Sequence, residues 1–212
     1  MKTLLKPFDM YKYLFIPLLF TACSISQEAD FLRDFDPINE DGTVNIVIEI
    51  PAGDNQKWEV DKESGSLYWE VAGDSLRVIS YLPYPANYGM VPRTFLPYES
   101  GGDNDPMDIF LLGPAKERGT VVPGRLIGVI KMLDRGEQDD KLIAVDPDSW
   151  FGDVYSIEDL ESDFSGVTKI LSVWLENYKG KDIVIIEGVL GPETAEALLE
   201  ESIRSYQNIQ VK

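Results

Sequence analysis

Histidine is absent from this chain of 212 residues, and cysteine occurs once, at Cys23. The first absence excludes imidazole as a general base and histidine-ligated zinc. The second excludes an internal disulfide. Positive charge is also scarce: 19 Lys and Arg stand against 37 Asp and Glu, a net charge of −18. A field of that sign repels nucleic acid and anionic membrane surfaces and attracts cations. It admits an anionic substrate only where metals or local Lys and Arg reverse the sign. Long apolar runs are missing as well, because YLFIPLLF near the N-terminus is too short to span a bilayer as a helix. What is present, 44% hydrophobic and 11% aromatic residues without repeats or low-complexity runs, suits one globular domain with a sizeable core, plus tails.

The first 22 residues read as a secretory signal. Lys2, Lys6 and Lys12 form a basic region, the short apolar run follows, and the small residues Thr21 and Ala22 precede Cys23. That order resembles a bacterial lipoprotein signal, although Phe20 departs from the usual aliphatic residue. The resemblance implies a signal peptide over 1–22, a lipidated Cys23 heading a polar tether over 23–42, and a folded domain over 43–212. It also implies an extracytoplasmic, lipid-anchored location. The outer membrane is favoured, since Ser24 does not resemble an inner-membrane retention residue. The alternative is a cytoplasmic protein. This position leaves Cys23 no role as a catalytic thiol.

Further along, NIVIEIPAG is β-branched and alternating, which predicts a strand ended by Pro51 and Gly53. KWEVDKESGSLYWEV predicts a hairpin about Ser64–Gly65. YLPYPANYGMVPRT reads as ordered non-helical chain. MDIFLLG, KLIAVDP and KDIVIIEGVLG read as strands, and GTVVPGRLIGVIKMLD as two strands joined at Pro123–Gly124. VYSIEDLESDF and VTKILSVWLENYK have helical spacing, the second with Val167, Ile170, Leu171, Trp174 and Leu175 on one apolar face. Pro192-Glu193 opens a terminal helix. Many short strands followed by helices predict an α+β, mainly β fold: a small closed barrel with helices outside.

One stretch admits two readings, a solvated turn or a site with something positive among its charges. GGDNDPMDIFLL crowds Asp103, Asp105 and Asp108 together just before a buried strand. Alternate strand residues share a face, so this spacing converges only if the chain bends, and Pro106 supplies a bend. Convergent carboxylates suit a hard divalent cation. An EF-hand calcium loop is excluded, because Met107 and Pro114 fall where ligands are required. A second acidic cluster, Asp134, Asp139 and Asp140 beside Lys141, follows in KMLDRGEQDDK. Taken alone, each cluster is an ordinary solvated turn or charge run.

Together, D-N-D-P-M-D-I and its neighbours resemble the family I soluble inorganic pyrophosphatases. IEIPAG, KWEVDKESGSL, YPANYG, GVIKMLDRGEQDDKLIAV and NYK-GK agree in order, from Val44 to Gly188. The resemblance implies a five-stranded OB-like closed β-barrel with flanking α-helices. It implies Mg²⁺-dependent hydrolysis of pyrophosphate to two phosphates, with several Mg²⁺ per site and Mn²⁺ as a possible substitute. It implies Asp103, Asp108, Asp134, Asp139 and Glu49 as metal ligands and Asp105 as general base. Lys57, Arg77, Tyr88, Lys141, Tyr178 and Lys179 would hold phosphate oxygens. Glu59, Tyr84 and Asn87 would occupy other cavity positions. A homo-oligomer is also implied, with no nucleic-acid partner and a membrane contact only through the lipid. The chain departs from the pattern in the length of WEVAGDSLRVISYLPYP, which unsettles Arg77, and in Arg135 after Asp134. The rival readings are a phosphohydrolase of polyphosphate or nucleotide diphosphates, and a non-catalytic divalent-binding module.

Overall fold

In the computed structural model residues 29–210 are described; the expected signal, Cys23 and the start of the expected tether lie outside them. The strands are β1 (Val44–Ile50), β2 (Trp58–Val60), β3 (Leu67–Trp69), β4 (Val71–Ala72), β5 (Ser75–Leu76) and β6 (Asn87–Met90). A 3-10 turn at Tyr98–Ser100 leads to β7 (Asp108–Leu112), β8 (Val121–Asp134), β9 (Glu137–Gln138) and β10 (Lys141–Val145). Helices α1 (Ile157–Asp163) and α2 (Val167–Tyr178), strand β11 (Val184–Leu190) and helix α3 (Pro192–Gln210) complete the order. The fold is α+β and mainly β.

Seven strands share one sheet, paired in the order β1-β6-β7-β10-β8-β11, with β9 on β8 and a further pairing of β8 with β1. Among the described strands only β7 and β10 run parallel. That parallel pair sets the starts of both strands at one end of the sheet, where Leu142 faces Ile109. The same end receives Met90 of β6 opposite Asp108 and Asp134 of β8 opposite Val184. Residues far apart in the chain thereby gather at one end of the sheet.

Strands β1, β6, β7 and β10 are buried nearly throughout because both of their faces are covered. Ile109 and Leu111 of β7 pack with Ile46, Ile48 and Leu142 and with Ala195 and Leu199 of α3. Phe110 and Leu112, pointing the other way, pack with Tyr84, Tyr88 and Ile143 and with Leu171, Trp174 and Leu175 of α2. Local signals set the helix ends. Ser156 Oγ caps α1 by accepting from Asp159 N at 3.0 Å, and Pro192 opens α3.

Three expectations are corrected. GTVVPGRLIGVIKMLD is one long strand. Residues 121–124 pair with β1 before the strand passes to β10 and β11, so Pro123 marks a change of partner, where its missing N–H is tolerated. Ile170 is 59% exposed; the buried stripe of α2 is narrower than its apolar pattern. The expected tether is docked over its described part. Leu32 is buried with Val47, Val60 and Met90. Asn45 Nδ2 donates to Asp36 O at 2.8 Å, and Arg93 pairs with Asp36.

The β1–β6 register makes a sharp demand at Gly89. A Cβ there would lie 1.7 Å from the carbonyl oxygen of Val47, a backbone atom of the paired strand that cannot step aside. Gly89→Ala is expected to lower the unfolding free energy by about 3 kcal/mol or more in denaturant titration. A wild-type midpoint would refute this register.

Candidate active site

Glu49, Lys57, Glu59, Asp105 and Asp108 line one cavity of about 330 Å³. Its wall also carries Lys62, Tyr68 and Met90. Glu49 projects from β1 and is buried, with its Oε1 accepting from Val60 N at 2.8 Å. Burial pushes its carboxyl up to about 8, against the pull of Lys57. Lys57 pairs with Glu59 at 2.8 Å and lies over the Tyr88 ring, 5.5 Å from its centroid.

Asp108 opens β7, and beside it the ammonium of Lys141, only 2% exposed, bridges Asp108 and Asp139. Burial works against a charge there, yet the two carboxylates outweigh it and hold Lys141 well above its ordinary pKa. Asp103, in the loop before β7, accepts the backbone N–H of Asp105 at 3.0 Å. Burial first, then the charges of Asp108, Asp139 and Asp105, push its carboxyl up to about 7. At the end of β8, Asp134 pairs with Lys179, which follows Tyr178 at the end of α2. Tyr178 stacks on Trp174 with ring centroids 4.5 Å apart.

Residues 46–207 match the inorganic pyrophosphatase family. The inorganic pyrophosphatase of Helicobacter pylori is 35% identical over 167 residues, which cover 76% of this chain and 90% of that protein. The chain belongs to the inorganic pyrophosphatase family. A solved inorganic pyrophosphatase from H. pylori superposes with a TM-score of 0.68 over 82% of this chain and 99% of its own, at 35% identity. A type I inorganic pyrophosphatase from P. falciparum superposes with a TM-score of 0.76 at 26% identity over 84% of this chain. This chain spans 63% of that longer one.

Of the residues that the pyrophosphatase resemblance implies, Glu49, Lys57, Glu59, Asp105 and Asp108 line this cavity, Lys141 and Asp139 join it through the pair with Asp108, and the others lie outside its wall. Asn87, expected in the cavity, is instead a fully buried staple. Its Oδ1 accepts from Ala52 N and Lys116 N at 3.1 and 2.8 Å, and its Nδ2 donates to Leu111 O and Pro114 O at 3.2 and 2.9 Å. No hydrogen-bonding capacity is left for a ligand. Arg77 is held by Glu70 in a two-oxygen pair at 2.8 and 2.6 Å and does not line the cavity. Tyr84 is buried between Trp174 and Tyr88, with centroids at 4.4 and 5.1 Å. Among the wall residues not singled out from sequence are Lys62 and Tyr68, whose hydroxyl donates to Glu59 at 3.2 Å. The β2–β3 register, with Glu59 opposite Tyr68, is the signal that finds the second.

As arranged, no three carboxylates among the described residues form a ready cation cage; Lys141 stands between Asp108 and Asp139. The donor set nevertheless fits a hard divalent cation. It is entirely oxygen, and Asp134 Oδ1 is buried without a hydrogen-bond partner. Such an orphaned carboxylate oxygen is costly unless something positive reaches it.

The raised carboxyls at Asp103 and Glu49 fix a sign. Their ordinary values are 3.8 and 4.5, so between those and about 7 to 8 the folded chain holds more protons than the unfolded one. In chelator, stability is therefore expected to fall as pH rises through that window. Mg²⁺ competes with those protons, so its stabilisation is expected to be larger at pH 8 than at pH 5. Thermal melting with and without Mg²⁺ at the two pH values checks this; an equal shift at both would contradict it.

Proposed function

We propose that this chain hydrolyses inorganic pyrophosphate to two orthophosphates with Mg²⁺ as cofactor. The observation that carries the reading is the gathering of Asp103, Asp105, Asp108, Asp134 and Asp139 with Lys141 and Lys179 at one end of the sheet, in a chain of this family. Asp103, Asp108, Asp139, Asp134 and Glu49 would hold the cations. When bound, Mg²⁺ lowers the pKa of a water and offsets charge on phosphoryl oxygens. The chain's own groups do the rest. Asp105 takes the proton of the attacking water as its oxygen bonds to phosphorus and the bridging P–O bond breaks. Lys57, Lys141, Lys179, Tyr88 and Tyr178 donate to phosphate oxygens and stabilise the charge that develops on the leaving phosphate. Arg77 joins them only by exchanging Glu70 for substrate.

Three further readings belong to the same proposal. The pairing of β8 with β1 supports a five-stranded OB-like barrel of β1, β6, β7, β10 and β8. The order of Lys2, Lys6, Lys12, the apolar run and Cys23 supports an extracytoplasmic, lipid-anchored protein, with the outer membrane as its site. No helix among the described residues is long and apolar enough to cross a membrane. The chain is read as a homo-oligomer, which sedimentation would test.

Phosphate release from pyrophosphate should be rapid with Mg²⁺ and slight with Ca²⁺ alone, whose looser coordination misplaces the nucleophile. A folded, cation-binding protein with no release under either would leave the non-catalytic binding reading. Asp105→Asn should lower kcat by about 10²- to 10⁴-fold, and full turnover would remove it as the base. Labelled fatty acid should enter the wild type in a bacterial host and not Cys23→Ser; no label in either would exclude the anchor.

A further inference from the structure

Lys62 stands in the turn between β2 and β3. Its ammonium closes on Asp105 Oδ1 and donates to Asn104 O at 3.1 Å. Asn104 sits at φ +62°, in the left-handed region that few non-glycine residues occupy. Its own Oδ1 accepts from Tyr98 N at 3.0 Å. Lys62 therefore grips a bent loop at two points, one of them the carboxylate read as the general base.

The turn that carries Lys62 is itself held on two sides. From within, Asp61 Oδ1 accepts from Glu63 N, Ser64 N and Ser64 Oγ at 3.2, 2.7 and 2.8 Å. From outside, residues 30–33 hook onto it. Arg33 donates to Lys62 O at 3.1 Å and to Glu63 O at 3.5 Å, and Phe31 N donates to Gly65 O at 2.9 Å. Arg33 is in turn fixed by Asp30 at 2.8 Å, and its carbonyl accepts from Arg93 Nε and NH2 at 3.0 and 2.7 Å. Gly65 is required at this hook, because its φ is +72° and a Cβ would lie 1.9 Å from Asp30 Oδ1.

We propose that Lys62 is a positioning residue for pyrophosphate hydrolysis and that Arg33 is its brace. The proposal rests on the reading of Asp105 as general base. A carboxylate base needs one oxygen free and correctly aimed. Lys62 occupies Oδ1, while Oδ2 accepts no hydrogen bond from another described residue and belongs to a side chain on the cavity wall. The proton of the attacking water goes to Oδ2. An ion pair as exposed as Lys62–Asp105, with side chains 57% and 40% accessible, adds little to folding stability. Its contribution is to aim, and a base displaced by a fraction of an ångström loses much of its effect.

The test uses the full chain with Mg²⁺ and compares wild type, Lys62→Met, Lys62→Arg, Arg33→Met and the double variant R33M/K62M. Lys62→Met is expected to lose about 10- to 100-fold in kcat, with KM and calorimetric Mg²⁺ affinity within about twofold of wild type. Lys62→Arg restores most of the rate. Arg33→Met loses part of it, and the double variant is no slower than Lys62→Met, because both act along one line. Melting temperatures stay within a few degrees, which separates aiming from unfolding. An unchanged kcat in Lys62→Met, or a loss confined to KM, overturns the positioning role. Losses that multiply in the double variant overturn the brace. A wild type that releases no phosphate overturns the hydrolytic reading beneath both.

Discussion

The arrangement depends on an ammonium taken out of water. Lys141 is almost wholly buried at the start of β10 and is tied to Asp108 at the start of β7 and to Asp139 beyond β9. Neither kind of charge would tolerate that environment alone, since the desolvation of a single buried ion costs several kcal/mol. The three groups persist there only together. Their mutual requirement fixes two parallel strand ends and one hairpin end against each other. Asp103 sits beside this centre, where burial and then the surrounding negative charge raise its carboxyl.

Around this ionic centre the rest of the fold is apolar and two-sided. Consecutive residues of β7 feed separate cores, one closed by α3 and the other by α2. A strand clamped on both faces cannot roll or slide without emptying one core, and a one-residue slip would exchange its faces. The carboxylate at its head inherits that rigidity. Part of the acidic excess that would otherwise loosen a small domain is held by ion pairs inside the sheet, as Asp140 is by Lys131.

Much of this was legible in the sequence, for reasons particular residues make plain. D-N-D-P-M-D taken alone reads as a solvated turn, and it is the neighbouring motifs, in order, that tie it to the family. Strand and helix segments follow from local periodicity. What was hidden depends on partners distant in the chain. Asn87 reads like a polar cavity residue, and only the fold reveals that four backbone groups saturate it. Pro123-Gly124 carries the signature of a turn, and only the exchange of β1 for β10 explains why the strand continues through it. Lys62 looks like any surface lysine in a hairpin turn, because nothing near it in sequence announces Asp105.

The small hairpin of β4 and β5 leaves the body at Glu70 and returns at Arg77. Those two residues are joined by a backbone hydrogen bond of 2.7 Å as well as by their side chains. The ends of the excursion are thus closed irrespective of what lies between them, and Gly73 near its tip has open space around it. Evolution can therefore lengthen or shorten this segment at little entropic cost without moving the arginine at its base. The same closure makes the tip a natural port of entry for foreign sequence: an epitope, a fluorophore or an entire guest domain could be grafted there while the chemistry below proceeds undisturbed.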